Sequence, residues 1–177
     1  MKNSVKPNRK SAGFTLAETL VAVLILLMVT AVVAAGIPVA INAYYKVVDS
    51  ANAQVLLSTS ITAMRNELEF AKDVEIAQGD SNLTITFISA DTGVKSKIYN
   101  SDNGVMLHES TDVTGSEALP ARLLVSDKAA TKNLYFKYDS VAYSDGIFTF
   151  GGLKVFKVGA TEPVVTVGEF KIRAAFG

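Results

Sequence analysis

The sequence predicts an α+β protein in which a long N-terminal helix packs on a C-terminal antiparallel β-sheet domain. Three observations support this fold class. An apolar run without any charge extends from Leu20 to Ile41. Residues 42–73 then follow the apolar spacing of an amphipathic helix. Residues 74–177 contain short alternating apolar segments separated by glycine, aspartate and asparagine, which is typical of β-strands and turns.

The apolar run is long enough to cross a membrane as a helix. Its 22 residues are interrupted only by Thr30, Gly36 and Pro38, and they span about 33 Å against a hydrocarbon core of about 30 Å. A helix that is apolar on all sides needs a membrane or the core of an assembly around it. Because Pro38 lacks an amide donor, we predict that Gly36 and Pro38 break or kink the helix.

The distribution of charge predicts the orientation of this segment. The first basic residue after the apolar run is Lys46, whereas four bases and no acid precede Phe14. The positive-inside rule therefore places residues 1–13 in the cytoplasm and the C-terminal domain outside, in a single-pass membrane protein. Without residues 1–13 the chain has 13 bases against 17 acids, a net charge of −4. This balance argues against general nucleic-acid binding through a basic surface.

Glu18 is the one carboxylate at the edge of the apolar run. A charge well inside a bilayer costs at least ~2.5–3.5 kcal/mol on insertion scales, which makes such a residue a functional candidate. The alternative is that Glu18 lies at the level of the lipid headgroups and is solvated there. Its position in the sequence fits both interpretations.

The residues around this glutamate form a recognisable motif. Ser11-Ala12-Gly13 followed by Phe14-Thr15-Leu16-Ala17-Glu18 resembles the class III signal of type IV pilins and pseudopilins. The resemblance implies that a prepilin peptidase removes residues 1–13 and methylates the new N-terminus at Phe14. Residues 14–41 would then form a helix that lies in the membrane and, after assembly, in the filament core. In the family, the carboxylate corresponding to Glu18 is thought to pair with the Phe14 amine of a neighbouring subunit.

The resemblance implies a function in assembly and names its partners. The chain is expected to be a structural subunit of a type IV pilus or pseudopilus, with the membrane, prepilin peptidase and other pilin-like subunits as partners. It contains no cysteine, unlike many major pilins, whose C-terminal region is closed by a disulfide. This departure favours a minor subunit, including the alternative of a minor pseudopilin in DNA uptake or protein secretion.

A second processing site is an alternative from the sequence. Val33-Ala34-Ala35 before Gly36 has the small residues that an ordinary signal peptidase requires. Cleavage after Ala35 would release a secreted β-domain protein without a membrane helix.

The amphipathic segment predicts how the helix meets the β domain. An apolar stripe recurs at helical spacing along residues 42–73 and should dock on a sheet. Its members are Leu57, Ile61, Met64, Leu68 and Ala71. Charged residues lie between these positions, and the carboxylates of Glu67 and Glu69 need no catalytic explanation on this flanking surface.

The C-terminal region predicts one antiparallel sheet or two small ones. Turn signals at Asp91-Thr92-Gly93 and Ser101–Gly104 separate the first three strands into a meander, and Ser144-Asp145-Gly146 marks a later turn. Gly151-Gly152 is predicted to separate two strands. The predicted strands are Leu83–Phe87, Val94–Tyr99, Val105–His108, Arg122–Val125, Leu134–Tyr138, Val141–Tyr143, Ile147–Phe150, Leu153–Val158, Val164–Val167 and Phe170–Ala174.

No set of residues predicts catalysis, a cofactor or a metal site. His108 is the only histidine and has no cysteine to share a metal with. Asp102-Asn103-Gly104 is an incomplete calcium series and is better explained as a turn. Gly151-Gly152 lacks the Lys-Ser/Thr of a phosphate loop. We therefore predict that the protein is not an enzyme.

One aromatic cluster is compatible with nucleic acid. Aromatic and basic side chains together can stack on and neutralise a single strand, although residues alternating between the faces of a sheet explain the same pattern. The cluster comprises Tyr135, Phe136, Tyr138 and Tyr143 with Lys132 and Lys137. Nucleic acid is therefore only a secondary candidate partner.

Overall fold

The computed structural model describes residues 13–78, 83–111, 119–126 and 133–175. The chain divides into two compact units, residues 1–45 and residues 46–177. The first helix, α1, runs from Leu16 to Leu68 and belongs to both units. The predicted α+β class is confirmed, because the second unit packs this helix against antiparallel sheets.

In the first unit, α1 continues through Gly36 and Pro38 without interruption. The predicted local break at these residues is therefore absent from the hydrogen-bonded helix. Proline removes one amide donor, and the turns on either side keep their own hydrogen bonds. Thr30, the polar side chain within the apolar run, has its hydrogen bonds inside the helix. Its hydroxyl donates to the Leu26 and Leu27 carbonyls at 3.0 and 2.9 Å.

In the second unit, the apolar stripe of α1 forms one side of the core. Most of the predicted stripe is buried there, with Ile61 half-buried. Ser60 is also fully buried, and its hydroxyl donates to the Leu56 carbonyl at 2.7 Å, so its polar atom is satisfied on the packed face. The buried helix residues are Ala53, Leu56, Leu57, Ser60, Met64 and Leu68.

The helix ends at Leu68, five residues before the predicted boundary at Asp73. Ala71, predicted as part of the helical stripe, is buried as the first residue of a strand. Two distant amides bind the carbonyls after the helix: Ala175 N–H donates to Glu69 O and Ala90 N–H donates to Phe70 O, both at 2.7 Å. These tertiary hydrogen bonds replace the next helical turn and draw the chain into a sheet.

The first sheet has five antiparallel strands in sequential order. The predicted meander is confirmed, and its second turn places Asp102-Asn103 between two strands, with Gly104 at φ +121°. The first strand, which was not predicted, lies at one edge and is irregular between Lys72 and Glu75. The strands are β1 Ala71–Gln78, β2 Leu83–Ser89, β3 Lys95–Ser101, β4 Gly104–Glu109 and β5 Arg122–Leu123.

The second sheet is organised around one long strand. This strand, β8, pairs with β6 and β7 along one edge and with β9 along the other. The predicted turn between β7 and β8 is confirmed, with Asp145 at φ +50° and Gly146 at φ +71°, as in the mirror-image turns that suit hairpins. The strands are β6 Leu134–Lys137, β7 Ser140–Ser144, β8 Ile147–Lys157 and β9 Pro163–Arg173.

The predicted separation of two strands at Gly151-Gly152 is wrong, because β8 continues through both glycines. The glycines instead mark a change in which side chains are buried. Phe148 and Phe150 are buried before them, and Leu153 and Val155 after them, so the alternation shifts by one residue. Pairing with β9 continues across this point, which also joins the two segments predicted for β9 into one strand.

Gly152 should be sensitive to substitution. It has φ +65°, and a Cβ added there would meet the Asp139 carboxylate, which pairs with Lys154 at 2.6 Å. Left-handed backbone costs a non-glycine residue about 1–2 kcal/mol, so Gly152→Ala should lower the free energy of unfolding by about that amount or more. Urea denaturation followed by circular dichroism measures the change.

Gly168 provides the matched control in the neighbouring strand β9. Space around its Cβ position is open and its φ is not in the left-handed region, so Gly168→Ala should change the free energy of unfolding by no more than ~0.5 kcal/mol. Equal losses in the two variants would contradict the assigned role of Gly152.

The two sheets are joined by hydrogen bonds at Tyr138, in the short link between β6 and β7. The Asn100 side chain donates to the Tyr138 carbonyl at 2.7 Å and accepts from the Tyr138 amide at 3.4 Å. The buried Tyr138 hydroxyl donates to the Leu83 carbonyl at 2.8 Å, and its ring meets Phe150 edge-to-face. Tyr138 thus connects β2 and β3 of one sheet to the core of the other.

Candidate functional site

The candidate site is the short segment that leads into α1. Gly13, Phe14 and Thr15 precede the helix and are exposed, with 85% of the Phe14 surface accessible. Space around Gly13 is open. The bond between Gly13 and Phe14 is therefore accessible in this chain, at the boundary that the motif predicts for cleavage.

Thr15 and Glu18 form a reciprocal cap on the helix. The Thr15 amide and hydroxyl donate to Glu18 Oε2 at 2.9 and 3.0 Å, and the Glu18 amide donates to the Thr15 hydroxyl oxygen at 3.3 Å. This arrangement is a capping box, which satisfies amides at the helix start that lack intrahelical partners. The negative charge also lies at the positive end of the helix dipole.

Thr15 is the residue that motif reasoning missed. The signal was present, because a threonine followed three residues later by a glutamate before an apolar run is the sequence pattern of a capping box. Glu18 was predicted as a candidate, and the structure places it beside Thr15 and one turn from Phe14. The carboxylate is therefore held close to the Gly13–Phe14 boundary by its hydrogen bonds to Thr15.

The helix that follows is exposed as far as Tyr45 and has a single charge. All of its side chains from Leu16 to Tyr45 are exposed, and Glu18 is the only charged residue among them. By length and composition, α1 is a helix that could cross a membrane. Its apolar surface has no cover from the described part of the chain, which makes lipid or neighbouring helices its natural surroundings.

The remaining polar candidates lie in ordinary sheet positions. His108 is half-buried in β4 opposite Lys97. Asp102 and Asn103 form the exposed turn between β3 and β4. Among the described residues, no group of three or more His, Cys, Asp or Glu side chains has a geometry suited to a metal ion.

The carboxylates near the helix end take different environments. Glu69 is exposed in the turn after α1, whereas Glu67 is half-buried. Burial raises the pKa of the Glu67 carboxyl; the Glu109 carboxylate raises it further, and Arg122 lowers it. Arg122 and Glu109 form an ion pair at 3.1 Å. The cluster brings together charges of α1, β4 and β5.

The aromatic cluster is divided between two faces of its sheet. Phe136 and Tyr138 are buried in the core, and Tyr143 packs on Phe148 with ring centroids 4.6 Å apart. Tyr135 stacks on Phe156 at 5.6 Å, with Lys137 Nζ 5.5 Å from the Tyr135 ring centroid. Lys132 lies outside the described residues. The structure therefore does not bring the predicted set together on one surface.

Comparison with known families agrees with the geometry at the helix start. The family model of the prokaryotic N-terminal methylation motif matches residues 8–34, which include the Gly13–Phe14 boundary, the capping box and the first half of the apolar helix. The chain thus has the N-terminal motif and the long apolar helix of type IV pilin-like proteins. No curated protein and no solved structure matches the chain significantly.

Proposed function

We propose that this protein is a structural subunit of a type IV pilus or pseudopilus. A prepilin peptidase cuts after Gly13 and methylates Phe14, and α1 holds the mature chain in the membrane, with the β domain outside, until it joins other pilin-like subunits. The role is structural and not catalytic. The proposal is supported above all by one observation: the methylation motif leads directly into an apolar helix that nothing in the described chain covers.

The location of the motif supports cleavage at Gly13 over cleavage at Ala35. The match spans residues 8–34 and ends just before the alternative site. Ala35 lies inside the continuous helix α1, whereas Gly13 precedes the helix in exposed, non-helical chain. A peptidase needs access to backbone outside a helix, and Gly13 lies in such a segment.

The β domain supports the interpretation as a minor subunit. It closes without disulfides, through a core shared by α1 and both sheets. The alternative role in DNA uptake gains no support from the aromatic cluster, since Phe136 and Tyr138 are core residues. A pseudopilus in secretion uses the same helix and processing chemistry and falls within the proposal.

The processing step is tested by the mass of the mature chain. Co-expression with a prepilin peptidase should yield a chain that begins at Phe14 and carries one additional methyl group. Gly13→Val should leave the full-length chain, because the β-branched side chain occupies the position before the cut. Ala35→Leu, which removes the small residue required at the alternative site, should be processed normally. A mature chain beginning at Gly36 in the wild type would overturn the proposal.

A further inference from the structure

Two adjacent tyrosines lie in α1 shortly after the end of the apolar run at Ile41. Tyr44 and Tyr45 follow Asn42 and Ala43, and their side chains are 65% and 60% exposed. Their rings meet edge-to-face with centroids 6.0 Å apart. Neither the processing motif nor the core of the β domain uses them.

The distance along the helix relates these tyrosines to Glu18. Tyr44 lies 26 positions after Glu18, which corresponds to about 39 Å of helix. A bilayer including its headgroup regions is about 40–45 Å thick. Glu18 and Tyr44 are thus spaced to reach the two faces of one membrane, with the apolar run between them.

The chemistry of tyrosine suits such a position. Its ring is apolar and its hydroxyl is polar, so tyrosine is enriched where hydrocarbon meets headgroups. The next residue in the sequence is Lys46, the first base after residues 1–13. Lysine can bury its alkyl chain and keep its ammonium group at the level of the headgroup phosphates.

We propose that Tyr44 and Tyr45 form an interfacial anchor that binds the lipid headgroup layer on the membrane face opposite Glu18. The inference rests on the proposed function, in which α1 lies in the membrane, and it defines how deeply α1 is inserted in the bilayer. Headgroups fit better than a second copy of the helix, because two exposed hydroxyls on adjacent residues need hydrogen-bond partners that a dry apolar bundle lacks. By fixing the depth of α1, the anchor keeps Glu18 at the other face of the membrane.

The chain provides a clean fluorescence test because it contains no tryptophan. Tyr45→Trp introduces a single reporter at the anchor, and Val33→Trp introduces a control reporter inside the apolar run. The mature chain is reconstituted in phosphatidylcholine vesicles whose acyl chains carry bromine near the headgroup or near the chain end. We expect shallow bromine to quench the Tyr45→Trp reporter more strongly, and deep bromine to quench the Val33→Trp reporter more strongly.

The outcomes separate the anchor from the proposed function. Failure of both reporters to be quenched would contradict membrane insertion itself. Normal deep quenching of the Val33→Trp reporter, with the Tyr45→Trp reporter unquenched and accessible to aqueous acrylamide, would overturn the anchor alone. Lipid quenching at Tyr45→Trp that disappears as the protein-to-lipid ratio rises would assign the tyrosines to contact with a second copy and would also overturn it.

A second set of variants tests whether the rings define depth. In the Val33→Trp background, Tyr44→Leu with Tyr45→Leu should extend the apolar run and reduce the difference between deep and shallow quenching. Tyr44→Phe with Tyr45→Phe, which keeps the rings and removes the hydroxyls, should give an intermediate difference. An unchanged quenching profile in the double leucine variant would contradict the anchor.

Discussion

Replacing Glu18 by glutamine should abolish assembly while cleavage at Gly13 and methylation of Phe14 continue. In the proposed filament, the Glu18 carboxylate pairs with the Phe14 amine of a neighbour. Removing one partner of a buried pair leaves an uncompensated charge that costs about 3–5 kcal/mol. We therefore expect the assembled fraction to fall by about two orders of magnitude or more. Shearing followed by quantification of assembled and membrane-bound subunit measures it.

Glutamine separates pairing from helix capping. Its side-chain carbonyl can still accept hydrogen bonds from Thr15, as Glu18 Oε2 does in the structure, but it has no charge. Thr15→Ala is the matched control, because it removes the hydroxyl from the capping box and keeps the carboxylate. That variant should lose ~1 kcal/mol of helix stability and retain most of its assembly.

Two outcomes would contradict the assigned role of Glu18. Wild-type assembly by Glu18→Gln or Glu18→Ala would show that the charge is not needed. If Thr15→Ala lost as much assembly as Glu18→Gln, the contribution of Glu18 to assembly would come from helix capping and not from its charge. Mass spectrometry of each variant shows that processing has occurred, so that a block in cleavage is not mistaken for a block in assembly.

Replacing Tyr138 by alanine should cause a large loss of stability in the β domain. The side chain is 2% exposed, and truncating a buried aromatic residue typically costs about 3–5 kcal/mol. Tyr138→Phe keeps the ring but leaves the Leu83 carbonyl without the donor it has at 2.8 Å, which should cost about 1–3 kcal/mol. Denaturation of the mature chain in detergent, followed by near-ultraviolet circular dichroism, measures both losses.

The pH dependence gives an independent check on Tyr138. Burial raises the pKa of its hydroxyl above the ordinary value, so the folded state holds this proton after the unfolded chain has released it. The stabilisation is complete below the unfolded pKa of about 10 and declines as the pH rises above it. Tyr138→Phe should therefore show a shallower alkaline loss of stability than the wild type.

The exposed Tyr45 offers a control for removal of a tyrosine hydroxyl. Tyr45→Phe should leave the stability of the β domain unchanged, because this side chain is 60% exposed and lies outside that domain. A Tyr138→Phe variant as stable as Tyr45→Phe would contradict the joining role of the Tyr138 hydroxyl.

Features that depend on neighbouring residues could be predicted from the sequence. The apolar helix, its start after Phe14 and the turn at Asp145-Gly146 all follow from interactions within a few residues. The Thr15–Glu18 cap belongs to the same group, since its pattern is local even though it was overlooked. The motif around Gly13 is local as well, so the candidate site could be located before any fold was known.

Features that depend on distant partners were decided by the tertiary structure. The helix ends at Leu68 because amides of Ala90 and Ala175 bind the next two carbonyls. Strand β8 continues through Gly152 because β9 pairs with it on both sides of the glycine. The aromatic cluster is divided because the strands bury alternate residues.

The sequence by itself determined where the methylation motif lies and which helix is long and apolar enough to cross a membrane, because motifs, capping and hydropathy depend on short stretches of chain. Only the tertiary structure decided how the β domain closes without disulfides. The two sheets meet at Asn100 and Tyr138, two residues 38 positions apart in the sequence. Their hydrogen bonds join two sheets, and no local pattern indicates such a pairing.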